Sequence, residues 1–229
     1  MKFQKYMAVG ILGLTMALGF SGCQSENQKN QDAYRKIGIN SMAEGDYDKA
    51  VKSFQKALDT SLGKIGAEEI DICYYKAAAQ FAKKDYDGAI ETYTSLIDYD
   101  KENANAYYLR GSVYLDTDKK DKAFKDYKNA VKYAGREYEI YEGIYENLTN
   151  KGETEEAKNY LKKALDIKPK DGADYAEQGH VYYLLEDYTQ AKSSLDRAID
   201  KDDKTALLYL AEVYNATDQQ EQGQALLES

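Results

Sequence analysis

The feature that most constrains this 229-residue chain is a short phrase that returns at a fixed interval. Asp46-Tyr47-Asp48-Lys49-Ala50-Val51 comes back as Asp85-Tyr86-Asp87-Gly88-Ala89-Ile90, then around Ala123, Ala157 and Ala191. The steps from Ala89 to Ala123, Ala157 and Ala191 are each 34 residues, and Ala50 to Ala89 is 39. The first joint therefore carries five extra residues, around Ser61-Leu62-Gly63-Lys64-Ile65-Gly66. Periods of this length belong to arrays in which one supersecondary unit cannot bury its apolar face alone and stacks on its neighbours.

Further positions keep the same phase. Twelve residues before the anchors stand Gly38, Ala77, Gly111 and Gly179, with Tyr145 departing in the fourth unit. Seven after them stand Ala57, Ala130, Ala164 and Ala198, with Leu96 departing in the second. Four after them stand Phe54, Tyr93, Tyr127, Leu161 and Leu195, one helical turn on and on the same face. Small residues at fixed positions let two helix backbones approach, and the large residue fills the seam. Enlarging Ala123 or Ala157 should overpack that seam. A weaker sixth unit follows, with Ala211 and Gly223 in the small positions and Leu227 four residues on.

These residues resemble the tetratricopeptide repeat, a 34-residue helix–turn–helix. The resemblance implies an all-α fold, an α-solenoid of five clear hairpins and a sixth terminal one over residues 32–229. First helices are expected near 31–43, 68–83, 104–117, 137–150, 172–185 and 204–216. Second helices are expected near 47–60, 86–98, 120–133, 153–167, 188–200 and 218–229. One Pro in the whole chain agrees with helices, and Pro169 stands where a helix should stop. In the family, first helices line a concave groove that binds protein or peptide partners. Carried over, that pattern directs Arg35, Met42, Tyr74, Phe81, Tyr108, Leu115, Glu142, His180 and Tyr183 toward the groove, a partly aromatic floor suited to interface anchors. Chaperone-docking members clamp a terminal carboxylate with Lys and Asn. The matching positions hold Arg35, Tyr74 and Tyr108, and Ile39, Ala78 and Ser112, so that clamp is missing.

The N-terminus carries a different signal. Lys2 and Lys5 precede 14 apolar or small residues, Met7 to Phe20, too short for a spanning helix and the right length for a secretory signal. Phe20-Ser21-Gly22-Cys23 resembles the lipobox of bacterial lipoproteins, with Phe where Leu is usual. That resemblance implies a signal peptide over 1–22 and acyl chains on Cys23. Two or three chains anchor stably where one does not. Residues 23–31 are then expected to form the lipidated Cys and a flexible polar tether. Losing Lys2 and Lys5 with the signal takes the formal charge from −9 to −11, a body that anionic headgroups repel, so lipid rather than charge must hold it.

The acidic balance argues against nucleic acid, which needs surplus Lys and Arg. One His and two Cys leave little for a metal cage, and none is expected. No phosphate-cradling Gly-rich loop occurs, and Asp200-Lys201-Asp202-Asp203 lacks the spacing of a calcium loop. No catalytic residue and no cofactor is expected. His180 reads as a lone groove or surface residue, and Cys73 as a buried, inert small hydrophobe. Tyr34, Tyr107, Tyr141 and Tyr175 recur at one repeat position, and Tyr47, Tyr86 and Tyr188 at another, as packing residues do. The sequence supports a membrane-anchored extracytoplasmic scaffold for a protein partner. The alternative is a structural subunit of an envelope assembly machine, resembling the repeat lipoproteins of barrel insertion or pilus assembly. Gln24 after the Cys permits outer-membrane placement.

Overall fold

The computed structural model describes residues 25–227 apart from 62 and 64. The stretch expected to be a signal segment, and Cys23, lie outside the described residues. Twelve helices and no strand occur among them. In chain order they are α1 (Glu26–Ala43), α2 (Tyr47–Thr60), α3 (Ala67–Ala82), α4 (Tyr86–Tyr99), α5 (Ala104–Asp116) and α6 (Lys120–Tyr133). There follow α7 (Tyr138–Asn150), α8 (Thr154–Ala164), α9 (Gly172–Leu184), α10 (Tyr188–Ile199), α11 (Thr205–Ala216) and α12 (Gln220–Leu227). They make six helix hairpins, α1–α2 to α11–α12. The chain divides after Tyr133 into two compact units of three hairpins each.

One turn joins the two helices of every hairpin. A single residue with positive φ follows each first helix: Gly45, Lys84, Asp118, Gly152, Glu186 and Asp218. The amide of the next residue reaches back to the first helix, at 2.8–2.9 Å in Asp46–Ser41, Asp85–Gln80, Lys119–Tyr114, Glu153–Leu148, Asp187–Tyr182 and Gln219–Tyr214. This is the Schellman closure, which satisfies carbonyls a helix end leaves orphaned. Where that next residue is Asp it also caps the second helix. Asp46, Asp85 and Asp187 accept from the amides of Lys49, Gly88 and Gln190 at 3.0–3.1 Å. The Asp-Tyr opening of the repeated phrase is thus a helix start rather than a chemical motif.

The seam is built as the spacing implies. Ala50, Ala89, Ala123, Ala157 and Ala191 are fully buried, as are Phe54, Tyr127, Leu161 and Leu195, with Tyr93 nearly so. A methyl on Gly38 would stand 2.5 Å from the Phe54 ring, and one on Gly179 2.6 Å from Leu195. In the fourth hairpin, where the small residue is Tyr145, that ring stays half-buried and its neighbour Ile144 is fully buried instead. Recurring Tyr34, Tyr107, Tyr175, Tyr86 and Tyr188 pack against core clusters as half-buried residues. In the first unit half-buried Arg110 and buried Asp126 form a two-toothed pair, with Nε to Oδ2 at 2.7 Å and Nη2 to Oδ1 at 2.9 Å.

Two expectations need correction. The stretch expected to be a flexible tether is helical from Glu26. Ser25 caps it by accepting from the Gln28 amide at 3.3 Å, and buried Gln31 donates to Glu69 of α3 at 2.7 Å. Helix α8 ends at Ala164, not near 167, because Leu165, Asp166 and Ile167 turn back on i−3 carbonyls ahead of Pro169.

Candidate functional site

The residues directed to the groove fall five to the first unit and three to the second, Leu115 aside. In the first unit Arg35 pairs with Asp71 of α3, Nε to Oδ2 at 2.8 Å, and lies over the Tyr75 ring. Met42 packs on the Phe54 cluster. Tyr74 donates its hydroxyl to Asn103 Oδ1 at 2.6 Å, and that oxygen also caps α5 by accepting from the Ala106 amide. Phe81 meets Tyr86 edge-on, centroids 5.6 Å apart, and Tyr108 leans on Tyr127 at 6.4 Å. All five are half-buried. Each therefore helps hold the stack and still offers surface. Leu115 is a correction: only 2% of it is exposed, so it belongs to the core rather than to any groove.

In the second unit the three residues meet. His180 of α9 shares a 2.9 Å hydrogen bond between Nδ1 and Oε1 of Glu142 of α7. The imidazole lies face to face with Tyr209 of α11, centroids 4.3 Å apart and planes 9° off parallel, and near-parallel to Tyr183 at 6.1 Å. Glu177, one turn before His180 on α9, completes the cluster: an oxygen from each carboxylate and a His180 ring nitrogen lie within 4.8 Å of one another. Glu177 has no side-chain hydrogen-bond or ion-pair partner among the described residues. The lone-His reading is thereby corrected. His180 is one member of a constellation spanning three first helices.

Electrostatics follow from placing several carboxylates around one imidazole. Burial, then the charges of Glu142 and Glu139, push the Glu177 carboxyl up to about 7. Burial alone would lower His180. The Glu142 hydrogen bond and the charges of Glu142, Glu177 and Glu212 outweigh it, and the imidazole sits above its ordinary value. Tyr209 is raised by burial and by the same carboxylates.

A second concavity, in the first unit, is an open apolar notch of about 230 Å³ lined by Leu58, Ile65, Ile70, Cys73, Leu96 and Tyr99. Its Glu69 is already used, accepting from the Gly66 amide and from Gln31. Cys73 is half-buried and its thiol is pushed up by burial, as an unreactive thiol should be. No described helix is long and apolar enough to cross a membrane.

The geometry agrees with comparisons to known proteins. The chain is 21% identical over 217 residues to anaphase-promoting complex subunit 3 of Schizosaccharomyces pombe, covering 82% of this chain and 33% of that protein. It is 27% identical over 154 residues to the human tetratricopeptide repeat protein 13, covering 62% of this chain and 17% of that one. Among solved structures, a tetratricopeptide repeat protein of Parabacteroides merdae superposes with a TM-score of 0.51 at 14% identity, over 98% of this chain and 83% of its own. That likeness concerns the fold alone. The tetratricopeptide repeat family model matches residues 32–61, 104–136, 146–171 and 175–204, and a TPR repeat model matches 77–118. With more than half of its length matched and six hairpins closed by one turn, the chain belongs to the tetratricopeptide repeat family.

Proposed function

We propose that the protein is an extracytoplasmic bacterial lipoprotein, held to a membrane by acyl chains on Cys23, that serves as a scaffold for a protein or peptide partner. Tetratricopeptide repeats act as protein-interaction scaffolds, and the finer reading adds the anchor and the face used. The observation that carries it is the contrast between the two helices of each hairpin. The anchor residues of the second helices are sealed, whereas Tyr74, Phe81 and Tyr108 in one unit, and His180 and Tyr183 in the other, keep part of their surface on first helices. Partly exposed rings held by packing are pre-organised anchors, which lose little entropy when a partner covers them. The sequence Ser21-Gly22-Cys23 supports the lipid, and an acidic body supports the need for one.

Two arms test the proposal. Cells making Cys23→Ser are fractionated: the variant should leave the membrane fraction, and full retention refutes acylation. The Tyr108→Ala/Tyr183→Ala chain is compared with the parent in capture from detergent-solubilised membranes. Partner yield should fall at least tenfold. Undiminished yield of every captured protein refutes the assigned face.

A further inference from the structure

The Glu142–Glu177–His180 cluster differs from an ordinary surface ion pair in three ways. It gathers two carboxylates and one imidazole, with ligand-type atoms no more than 4.8 Å apart. It is sheltered but not sealed, with 18% of the His180 side chain and 16% of the Glu142 side chain exposed, so a small solute can reach it. Its imidazole is stacked on Tyr209 at 4.3 Å and runs near-parallel to Tyr183 at 6.1 Å. Glu177, meanwhile, has no side-chain hydrogen-bond or ion-pair partner among the described residues.

We propose that this cluster is a binding site for a borderline divalent first-row cation of the Zn²⁺ type, held by His180, Glu142 and Glu177. The donor set carries the choice of a metal over the ammonium of a bound peptide, because one imidazole nitrogen and two carboxylate oxygens converge as a zinc site requires. Two ligands on one tetrahedral ion, with bonds of about 2.0–2.2 Å, stand about 3.4 Å apart, so the His180–Glu142 pair at 2.9 Å needs to open little. Two acceptors around one ammonium at about 2.8 Å stand roughly 4.6 Å apart. The cation takes the place of the proton shared by His180 and Glu142, and a rotation of the Glu177 carboxylate brings in the third ligand. The donor set selects the ion. An imidazole is a poor ligand for Mg²⁺ or Ca²⁺, which take oxygens, whereas Zn²⁺ accepts nitrogen and carboxylate together. Three protein ligands leave further positions open for water or for a donor group on a partner. Because all three ligands lie on first helices, α7 and α9, the ion would sit on the face assigned to partner binding. The site itself stands or falls independently of the lipid and of that partner.

The test uses the full-length, tag-free chain stripped with chelator, with ZnCl₂ as the probe and MgCl₂ and CaCl₂ as separate arms. His180 is the sole histidine in the sequence, so its ring protons are the only imidazole signals in the proton NMR spectrum. On the unaltered protein they should shift or broaden with Zn²⁺ and stop changing at one equivalent. In titration calorimetry His180→Asn and Glu177→Gln should each weaken Zn²⁺ binding at least tenfold. Glu155→Gln, on the exposed side of α8, should leave it within twofold. Ring signals that stay unmoved at a tenfold excess of Zn²⁺ overturn the proposal, whatever the variants do. So does Zn²⁺ affinity that His180→Asn and Glu177→Gln leave unchanged, or Mg²⁺ or Ca²⁺ binding as tightly as Zn²⁺.

Discussion

Gly179→Ala puts the seam to a quantitative test, because two effects of opposite sign meet there. In an open helix the change is favourable: alanine is better than glycine by about 1 kcal/mol at an interior position. Gly179 lies in the interior of α9, so propensity alone predicts a gain. The added methyl, however, would stand 2.6 and 2.7 Å from Leu195 Cγ and Cδ2 and 3.2 Å from the Ala191 carbonyl oxygen. Leu195 and Ala191 are fully buried, and the backbone oxygen cannot move without opening α10. Overpacking of this kind costs about 1–3 kcal/mol. With a backbone atom among the obstacles the upper half of that range applies, and the net loss is about 1–2 kcal/mol. Urea unfolding should show a lower midpoint for Gly179→Ala at unchanged slope. Leu195→Ala alone leaves a cavity and costs about 2–5 kcal/mol, but in its presence the Gly179→Ala change should become neutral or favourable. The double-mutant cycle should therefore show coupling of about 1 kcal/mol or more. A stabilised Gly179→Ala, or strict additivity with Leu195→Ala, would refute the close approach of α9 and α10.

Three further outcomes follow from the same geometry. Lys84→Gly and Glu186→Gly should each stabilise the fold by about 0.5–1 kcal/mol, read as a higher urea midpoint, because both positions have φ near +65° and a side chain there costs more than glycine's extra freedom. Destabilisation by either change would count against the shared turn. Asp126→Ala should cost about 2–3 kcal/mol, since it leaves the half-buried Arg110 guanidinium with its hydrogen bond to Thr94 alone; a loss under 1 kcal/mol in thermal unfolding would contradict the pairing. Burial, then the hydrogen bond and charge of Asp32 and the charge of Glu69, push Glu68 up to about 7 from an ordinary 4.5, with Arg35 opposing. The folded form therefore holds a proton that the unfolded form releases earlier, and stability declines as pH rises from about 4.5 through 7. Comparing urea midpoints at pH 5 and pH 8, Glu68→Gln should lose less than the parent; equal losses would remove Glu68 from the account.

Most of the fold was legible because the period is carried by backbone contact. An alanine or glycine opposite a ring has no substitute at that spot, so the residue types had to recur in phase. Helix ends fell within a few residues of expectation where a Schellman turn or an Asp cap marks them. Legibility failed where polar side chains carry the tertiary contact. Gln31 is buried against Glu69 in a stretch whose Gln and Asn content looks solvated, and so α1 starts five residues earlier than its apolar pattern suggests. The groove assignment behaved similarly. Repeat phase placed Glu142, His180 and Tyr183 on one kind of face, and the structure joins them in one cluster. Phase could not supply Glu177 or Tyr209, because contacts between consecutive hairpins depend on how far one slides past the next. It also overreached at Leu115, where the helix face turns into the core.

The central claim is that six hairpins are each closed by one repeated turn and packed internally through one repeated seam. Residue-resolved amide hydrogen exchange tests it most directly. The amides of Asp46, Asp85, Lys119, Glu153, Asp187 and Gln219 lie outside the helices yet donate back to them. Slow exchange at all six is the predicted result; exchange at the free-peptide rate at these positions would contradict the account.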